Sequence, residues 1–448
     1  MTGKTIALAA AAVALDALGG ELRFVDGREL PLEGRAFADT PTYYERLPSK
    51  VTTNVNETAR ALARNTAGMQ FRFVTDSDVL VCRWTLNGPI TVGDNLSGVG
   101  ASGIDIYRQL PSGRWEYAAT GRPQGVSNEC RVAWNPGTPC TIYLPQYNGL
   151  SAFSLGIGEK ASVRPCPRTG LCRPVVFYGT SITQGGCSSR PGLGWVNVLG
   201  REMDVSVVNL GFSGAGRMEL EMADHLAAVD ASCYVLDCIA NMTEASIRER
   251  LGAFVRKLRK AKPDTPIVVA ERPQNSADAD RRNVVTREEY DRLVRDGVPG
   301  LFYVKADGLL PQDREGTAEG GHPNDLGMVS IARTFAKTLR TALSGPVAAT
   351  GGVVLKPGRT EVVVAPEAKP VVRFAADEAT NFLSRVFGRA VPVVSAPSGN
   401  GTVSVILGES PWAAAAGVSV ADRPQDTFTI RAEGDRVYIV GRDDPTFD

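Results

Sequence analysis

With 448 residues the chain has room for two to four domains, and its hydrophobic share of 43% and charged share of 22% are those of an ordinary globular protein. Lysine plus arginine and aspartate plus glutamate balance at 49 each, with no basic run, which speaks against a nucleic-acid partner. No apolar stretch reaches the length of a bilayer span, so no membrane partner is expected.

The chain opens ambiguously. Lys4 precedes the apolar run Ile6–Leu15, which has the size and flank of a signal-peptide core, but Asp16 interrupts it and no clean small-residue cleavage site follows. The expectation is a leader over residues 1–20 and a secreted or periplasmic location, the alternative being an alanine-rich helix at a domain edge. Residues 21–165 then read as an antiparallel β-sandwich. Runs such as Met69–Val74, Val79–Trp84 and Cys140–Leu144 are short, partly alternating and separated by Gly, Pro, Asn and Asp. Within them, Gly103-Ile104-Asp105-Ile106-Tyr107 alternates, which predicts a half-buried strand with Asp105 and Tyr107 on its outer face.

Over residues 166–346 strand-like and helical runs alternate, which predicts βαβ units and a parallel sheet. Strands are expected over Val205–Leu210, Cys233–Cys238, Pro266–Ala270 and Leu301–Val304. Helices are expected over Met218–Val229, Glu244–Lys260 with Thr243 as N-cap, Arg287–Arg295 and Leu326–Leu343, the last capped by Asp325. Residues 347–448 read as a small α/β domain. It has strands at Glu361–Ala365, Val403–Leu407 and Arg436–Val440, and a helix over Ala375–Phe387. The chain stops at Asp448 without a terminal cap, which reads as a truncation of a longer protein. The fold class is thus multidomain: an antiparallel, jelly-roll-like sandwich, a central α/β domain with a parallel sheet, and a small C-terminal α/β domain.

Eight cysteines are too few for a disulfide scaffold in a chain of this length. Cys166 and Cys172 make the best local pair. Cys187 and Cys238 flank two of the loops discussed below, with a disulfide or two free thiols equally open. Cys233 reads as a buried thiol. No C-x-x-C or Cys/His spacing suggests zinc, and Gly211–Gly216 has the wrong spacing for G-x-G-x-x-G, so neither metal nor cofactor is expected.

Four segments of the central region each follow a strand and end in small polar residues. They are Gly179-Thr180-Ser181-Ile182-Thr183-Gln184-Gly185, Asn209-Leu210-Gly211-Phe212-Ser213-Gly214, Asp237-Cys238-Ile239-Ala240-Asn241, and Glu319-Gly320-Gly321-His322-Pro323-Asn324. In a parallel sheet such ends converge on one edge. A serine, glycine-rich backbone, an asparagine and a histidine are what acyl transfer needs: a nucleophile, a base, and donors for an oxyanion. The serine turn is not the G-x-S-x-G elbow, since Thr183 stands at its fifth position. Of the two histidines, His225 falls inside a predicted helix and reads as structural, which leaves His322.

These blocks, in this order, resemble the SGNH (GDSL-like) hydrolase superfamily, with Gly-Thr-Ser for Gly-Asp-Ser, Ala240-Asn241 for Gly-x-Asn-Asp, and Glu319 for the usual aspartate. More narrowly, Gly103–Tyr107 resembles the group whose hydrolase domain follows a sandwich carrying a G-x-D-L-Y segment. The resemblance implies a flavodoxin-like hydrolase domain and a serine esterase removing acetyl or short acyl groups from carbohydrate. Ser181 would be the nucleophile, His322 the base and Glu319 its partner, with Glu315, Asp313 and Asp325 as competitors for that last place. Ser181, Gly211 and Asn241 would form the oxyanion hole. Trp195 and Met242 are candidates for the pocket wall, although core packing suits Trp195 better. A lipid or thioester acyl hydrolase of the same mechanism is one alternative, and an inactive scaffold that binds carbohydrate another. The last hundred residues are similar to the small α/β domain that precedes the barrel of α-glucuronidases and hexosaminidases, which would imply a glycosidase module beyond Asp448.

Overall fold

The alternating runs of the first third pair antiparallel throughout. The computed structural model describes residues 21–51, 55–93, 96–166, 168, 173–274, 280–344, 353, 355–420 and 428–441. The proposed leader and Cys172 lie outside the described residues. One sheet runs Leu22–Asp26, Leu150–Gly158, Val79–Leu86, Ser127–Ala133. The other runs Val163–Pro165, Gln70–Thr75, Pro139–Tyr143, Ile104–Gln109, Trp115–Gly121, with the short Leu32–Glu33 beside Gln70–Thr75. The inward residues of both, among them Phe71, Phe73, Trp84, Ile104, Ile106 and Phe153, close into one buried core. The outer face of Ile104–Gln109 is covered as well. Asp105 is 0% and Tyr107 4% exposed, where a half-buried strand was expected, because residues 190–192 of the next domain lie across them.

The second domain is built on five parallel strands: β1 (Val175–Gly179), β2 (Val207–Gly211), β3 (Cys233–Asp237), β4 (Ile267–Ala270) and β5 (Leu301–Val304). Their order is β2-β1-β3-β4-β5, one of the two common doubly wound arrangements. The strands are apolar on both faces, as a sheet covered twice requires. Val176 and Tyr178 of β1 face the layer of α3 (Leu220–Ala227), α4 (Glu244–Ala261) and α5 (Arg281–Arg295). Val175 and Phe177 face α2 (Trp195–Glu202) and α6 (Asp325–Leu343). Trp195 belongs to this second layer, fully buried between Phe177 and Phe335, and is core rather than pocket wall. Met242 is likewise core.

Thr243 caps α4 as its sequence predicts. Helix α5 begins six residues before the expected Arg287, since Asp280 caps it. Helix α6 is capped by Asn324 and not by Asp325. The Asn324 Oδ1 accepts from the N–H groups of Leu326 and Gly327, and Asp325 turns its carboxylate to the backbone of Ser189. Residues 346–448 form a separate unit with its own sheet, in the order Val393–Val394, Thr360–Val364, Val403–Leu407, Arg436–Gly441, Phe428–Glu433. Only the last strand is antiparallel. Its helix Pro370–Phe387 packs Val372, Ala376 and Leu383 on Val362 and Val405. Among the described residues no helix is long and apolar enough to cross a membrane.

Candidate active site

Strand β1 ends at Gly179, and the chain turns at once into the short helix α1 (Ser181–Gln184), capped by Thr180. Thr183 does two jobs in this turn. Its Oγ1 accepts from Thr180 N–H at 3.3 Å and donates to the Asp237 carboxylate at the end of β3 at 2.7 Å. A Cβ at position 179 would collide with that hydroxyl, so the glycine belongs with the threonine four residues on. Ser181 thus sits at the first position of a helix at the carboxyl edge of the sheet, 8% exposed.

His322 meets it from the opposite side of the edge. The Ser181 Oγ lies 2.8 Å from His322 Nε2, and His322 Nδ1 lies 2.6 Å from Glu319 Oε1. The same carboxylate oxygen accepts His322 N–H at 2.8 Å. Glu319 reaches back over only three residues, through Gly320 at φ 86°, and the extra methylene of glutamate spans that tight loop. Ala318 N–H to His322 O at 2.9 Å closes the loop's neck. Of the competing carboxylates, Asp313 caps Glu315 N–H and Asp325 holds Ser189. His225 lies on α3, half-buried, and its pKa is lowered by burial. A hydroxyl on an imidazole that is oriented by a carboxylate is the arrangement that activates an oxygen nucleophile.

The donors for a developing oxyanion are arranged differently from the sequence expectation at one position. Gly211 is still part of β2. Its N–H donates to Asn209 Oδ1 at 2.8 Å, and the backbone of Thr183 and Gln184 lies directly over it. The Asn209 amide in turn donates to Thr183 O at 2.7 Å. Gly211 is therefore a packing and tethering position, and its N–H is spent. The turn comes later: Ser213 N–H donates to Gln184 Oε1, and Gly214 takes φ 67° with open space around it. Asn241 stands on the turn Ile239–Asn241 after β3, and its Nδ2 is buried with no hydrogen-bond partner.

Several supporting residues escaped the sequence reading, because each acts over a long separation. Arg46, 1% exposed, donates to the carbonyls of Asn209 and Gly211 at 3.0 and 2.7 Å and lies over the Phe212 ring. Burial pulls its pKa down to about 9. Gln146 accepts from Ser188 and Gln184 and donates to Pro191, and the Tyr147 hydroxyl donates to Ser181 O at 3.1 Å. Asp105 accepts from Arg190, Gly192 N–H and Thr120 at 2.6–2.8 Å. The sandwich thereby holds the loop that runs between the serine helix and α2.

The cysteines form no disulfide between Cys187 and Cys238; both are free. Cys238 is fully buried, its thiol toward Tyr178 O. Cys187, at φ 71°, turns its sulfur toward Glu319 Oε2 at 3.9 Å. Burial, and then the charge of Glu319, push this thiol up to about 12. Burial likewise pushes the Asp237 carboxyl up to about 7 against the bond from Thr183.

Comparison with known proteins identifies the family. Residues 172–340 match the GDSL-like Lipase/Acylhydrolase family, and residues 22–163 match the GxDLY family, the N-terminus of SGNH-hydrolase-type esterases. A protein of Bacteroides ovatus, whose crystal structure is described as that of a GDSL-like lipase, is 32% identical. The match covers 72% of this chain and 99% of that one, with a TM-score of 0.67. The salicylyl-acyltransferase SsfX3 of a tetracycline biosynthetic pathway shares the fold, at 18% identity over 71% of this chain and 97% of its own, with a TM-score of 0.59. No curated protein matches. The chain belongs to the GDSL-like lipase/acylhydrolase family, in its SGNH form with an N-terminal GxDLY domain.

Proposed function

We propose that this esterase removes acetyl or other short acyl groups from a carbohydrate through Ser181, His322 and Glu319. The observation that carries the chemistry is the unbroken chain from Ser181 Oγ through both nitrogens of His322 to Glu319. The Ser181 Oγ attacks the ester carbonyl while His322 Nε2 takes its proton, and Glu319 stabilises the imidazolium. The oxyanion meets the Ser181 N–H, the unpartnered Asn241 amide and, in place of Gly211, the N–H of Gly214. His322 returns the proton to the leaving sugar hydroxyl, and water then frees the acyl-serine by the same route in reverse.

Support for a carbohydrate comes from the openness of the site. The side chains of His322 and Glu319 are 33% and 41% exposed beside the serine. Such an opening suits an acyl group presented on the surface of a hydrophilic polymer, whereas a long-chain lipid needs an enclosed apolar slot. A polymeric substrate also requires export, which N-terminal sequencing of the mature protein checks. The function is tested by acetate release from acetylated xylan and mannan, beside p-nitrophenyl acetate and octanoate, for the wild type and Ser181→Ala. Serine-dependent release from a glycan supports the reading. Octanoate cleavage without glycan activity transfers the enzyme to lipid or thioester chemistry, and no activity on any ester leaves a binding scaffold.

A further inference from the structure

The thiol of Cys187, the carboxylate of Glu319 and the imidazole of His322 place one donor atom each within 4.8 Å of one another, the one such group among the described residues. The sulfur faces Glu319 Oε2 at 3.9 Å, and Glu319 Oε1 faces His322 Nδ1 at 2.6 Å. Sulfur, oxygen and nitrogen donors therefore gather around the proton on Nδ1. Thiolate, imidazole and carboxylate are ligands of zinc and its borderline-soft relatives, and three protein ligands leave a fourth position for water.

We propose that this cluster is a reversible inhibitory site for a zinc-class divalent cation. The proton balance shows why occupancy stops the reaction. Binding releases the thiol proton to solvent, so that one thiolate, one carboxylate and the dication sum to zero charge. The ion takes the Nδ1 lone pair. The neutral imidazole keeps a single proton, which must now sit on Nε2. That nitrogen then donates to the Ser181 Oγ, 2.8 Å away, and has no lone pair left to accept the serine's proton. Glu319 is also drawn from the ring to the ion. The base is locked in the wrong tautomer while the fold is untouched, and a chelator restores it.

The consequence for catalysis rests on the esterase reading; the binding of the ion does not. The experiment therefore has two arms. Cobalt(II) is titrated into the full chain as wild type, Ser181→Ala, Cys187→Ala and Cys187→Ser, the last preserving side-chain size, with circular dichroism as the check on folding. The expected result is a sulfur-to-cobalt charge-transfer absorption that saturates at one ion per chain in the wild type and Ser181→Ala and is missing from both Cys187 variants. In the second arm zinc inhibits p-nitrophenyl acetate hydrolysis by the wild type, and a chelator reverses it. Each Cys187 variant, compared with its own metal-free rate, needs at least about tenfold more zinc, since loss of an outer-shell partner alone already costs that much affinity. Absence of the thiolate band, its survival in the Cys187 variants through Cys130 or Cys166, or equal zinc inhibition in wild type and variants overturns the site. A protein that hydrolyses no ester but shows the Cys187-dependent band keeps the site and loses only the esterase reading.

Discussion

Glu319 stands on a loop tight enough to bring its carboxylate back onto His322. The carboxylate curls back three residues and accepts both the ring and the backbone N–H of His322. Glu319→Gln is expected to lower kcat by roughly 10²–10⁴-fold with little change in KM, less than the loss in Ser181→Ala or His322→Ala, as steady-state kinetics on one ester would show. Asn241→Ala removes a donor that the resting enzyme leaves unused, and the same assay should show a fall of about 10²–10³ in kcat. Asp237 makes a prediction about stability. Its folded-state pKa of about 7 stands above the ordinary 3.8, so the folded state holds this proton more tightly. Its contribution to stability therefore declines as pH rises from the ordinary carboxylate range toward 7, and is level above that. Asp237→Asn removes the decline, so its gain in Tm over wild type should be larger at pH 8 than at pH 5; an equal gain at both would refute the buried ionisation. Ser181 and His322, each read from a short local motif, do meet in the structure, and of the carboxylates the sequence left open beside His322 it is Glu319 that bonds the ring. Gly211 was misread because Asn-Leu-Gly looks like the start of a turn, while the ladder to β1 continues through it, pairing Gly179 with Gly211.

At the scale of elements, the loop between α1 and α2 is the least self-sufficient part of the site. The sandwich strand Ile104–Gln109 grips it through Asp105, and its residues Cys187 and Ser189 touch Glu319 and Asp325 on either side of His322. Asp105→Asn keeps the shape but removes the charge facing Arg190. It should cost about 2 kcal/mol or more in denaturant unfolding, and should lower kcat more than it raises KM. The alternation of Ile104, Asp105, Ile106 and Tyr107 identified the strand and its inner face correctly. It could not show that the outer face is buried, because the covering loop arrives more than eighty residues later. Helix α5 shows a smaller miss: its start is set by the cap Asp280, ahead of the expected Arg287.

For the whole molecule, strand order decides where the chemistry falls. With β1 between β2 and β3, the loops carrying Ser181, Gly214 and Asn241 leave adjacent strands at one edge. The alternation of strands and helices was enough to predict a parallel sheet. Every residue of the site lies within residues 21–345. The Bacteroides ovatus protein is matched over 99% of its length by 72% of this chain. A chain of residues 21–345 is therefore expected to fold and to hydrolyse p-nitrophenyl acetate with the kcat of the full chain.

The central claim is that His322 activates Ser181 as a nucleophile toward acyl carbon. Labelling by a fluorophosphonate probe, followed by peptide mapping, tests it most directly. One probe per wild-type chain is expected, located on Ser181, with labelling at least about 10³-fold slower in His322→Ala. Labelling at another residue, or at Ser181 with the same rate when His322 is removed, would contradict it.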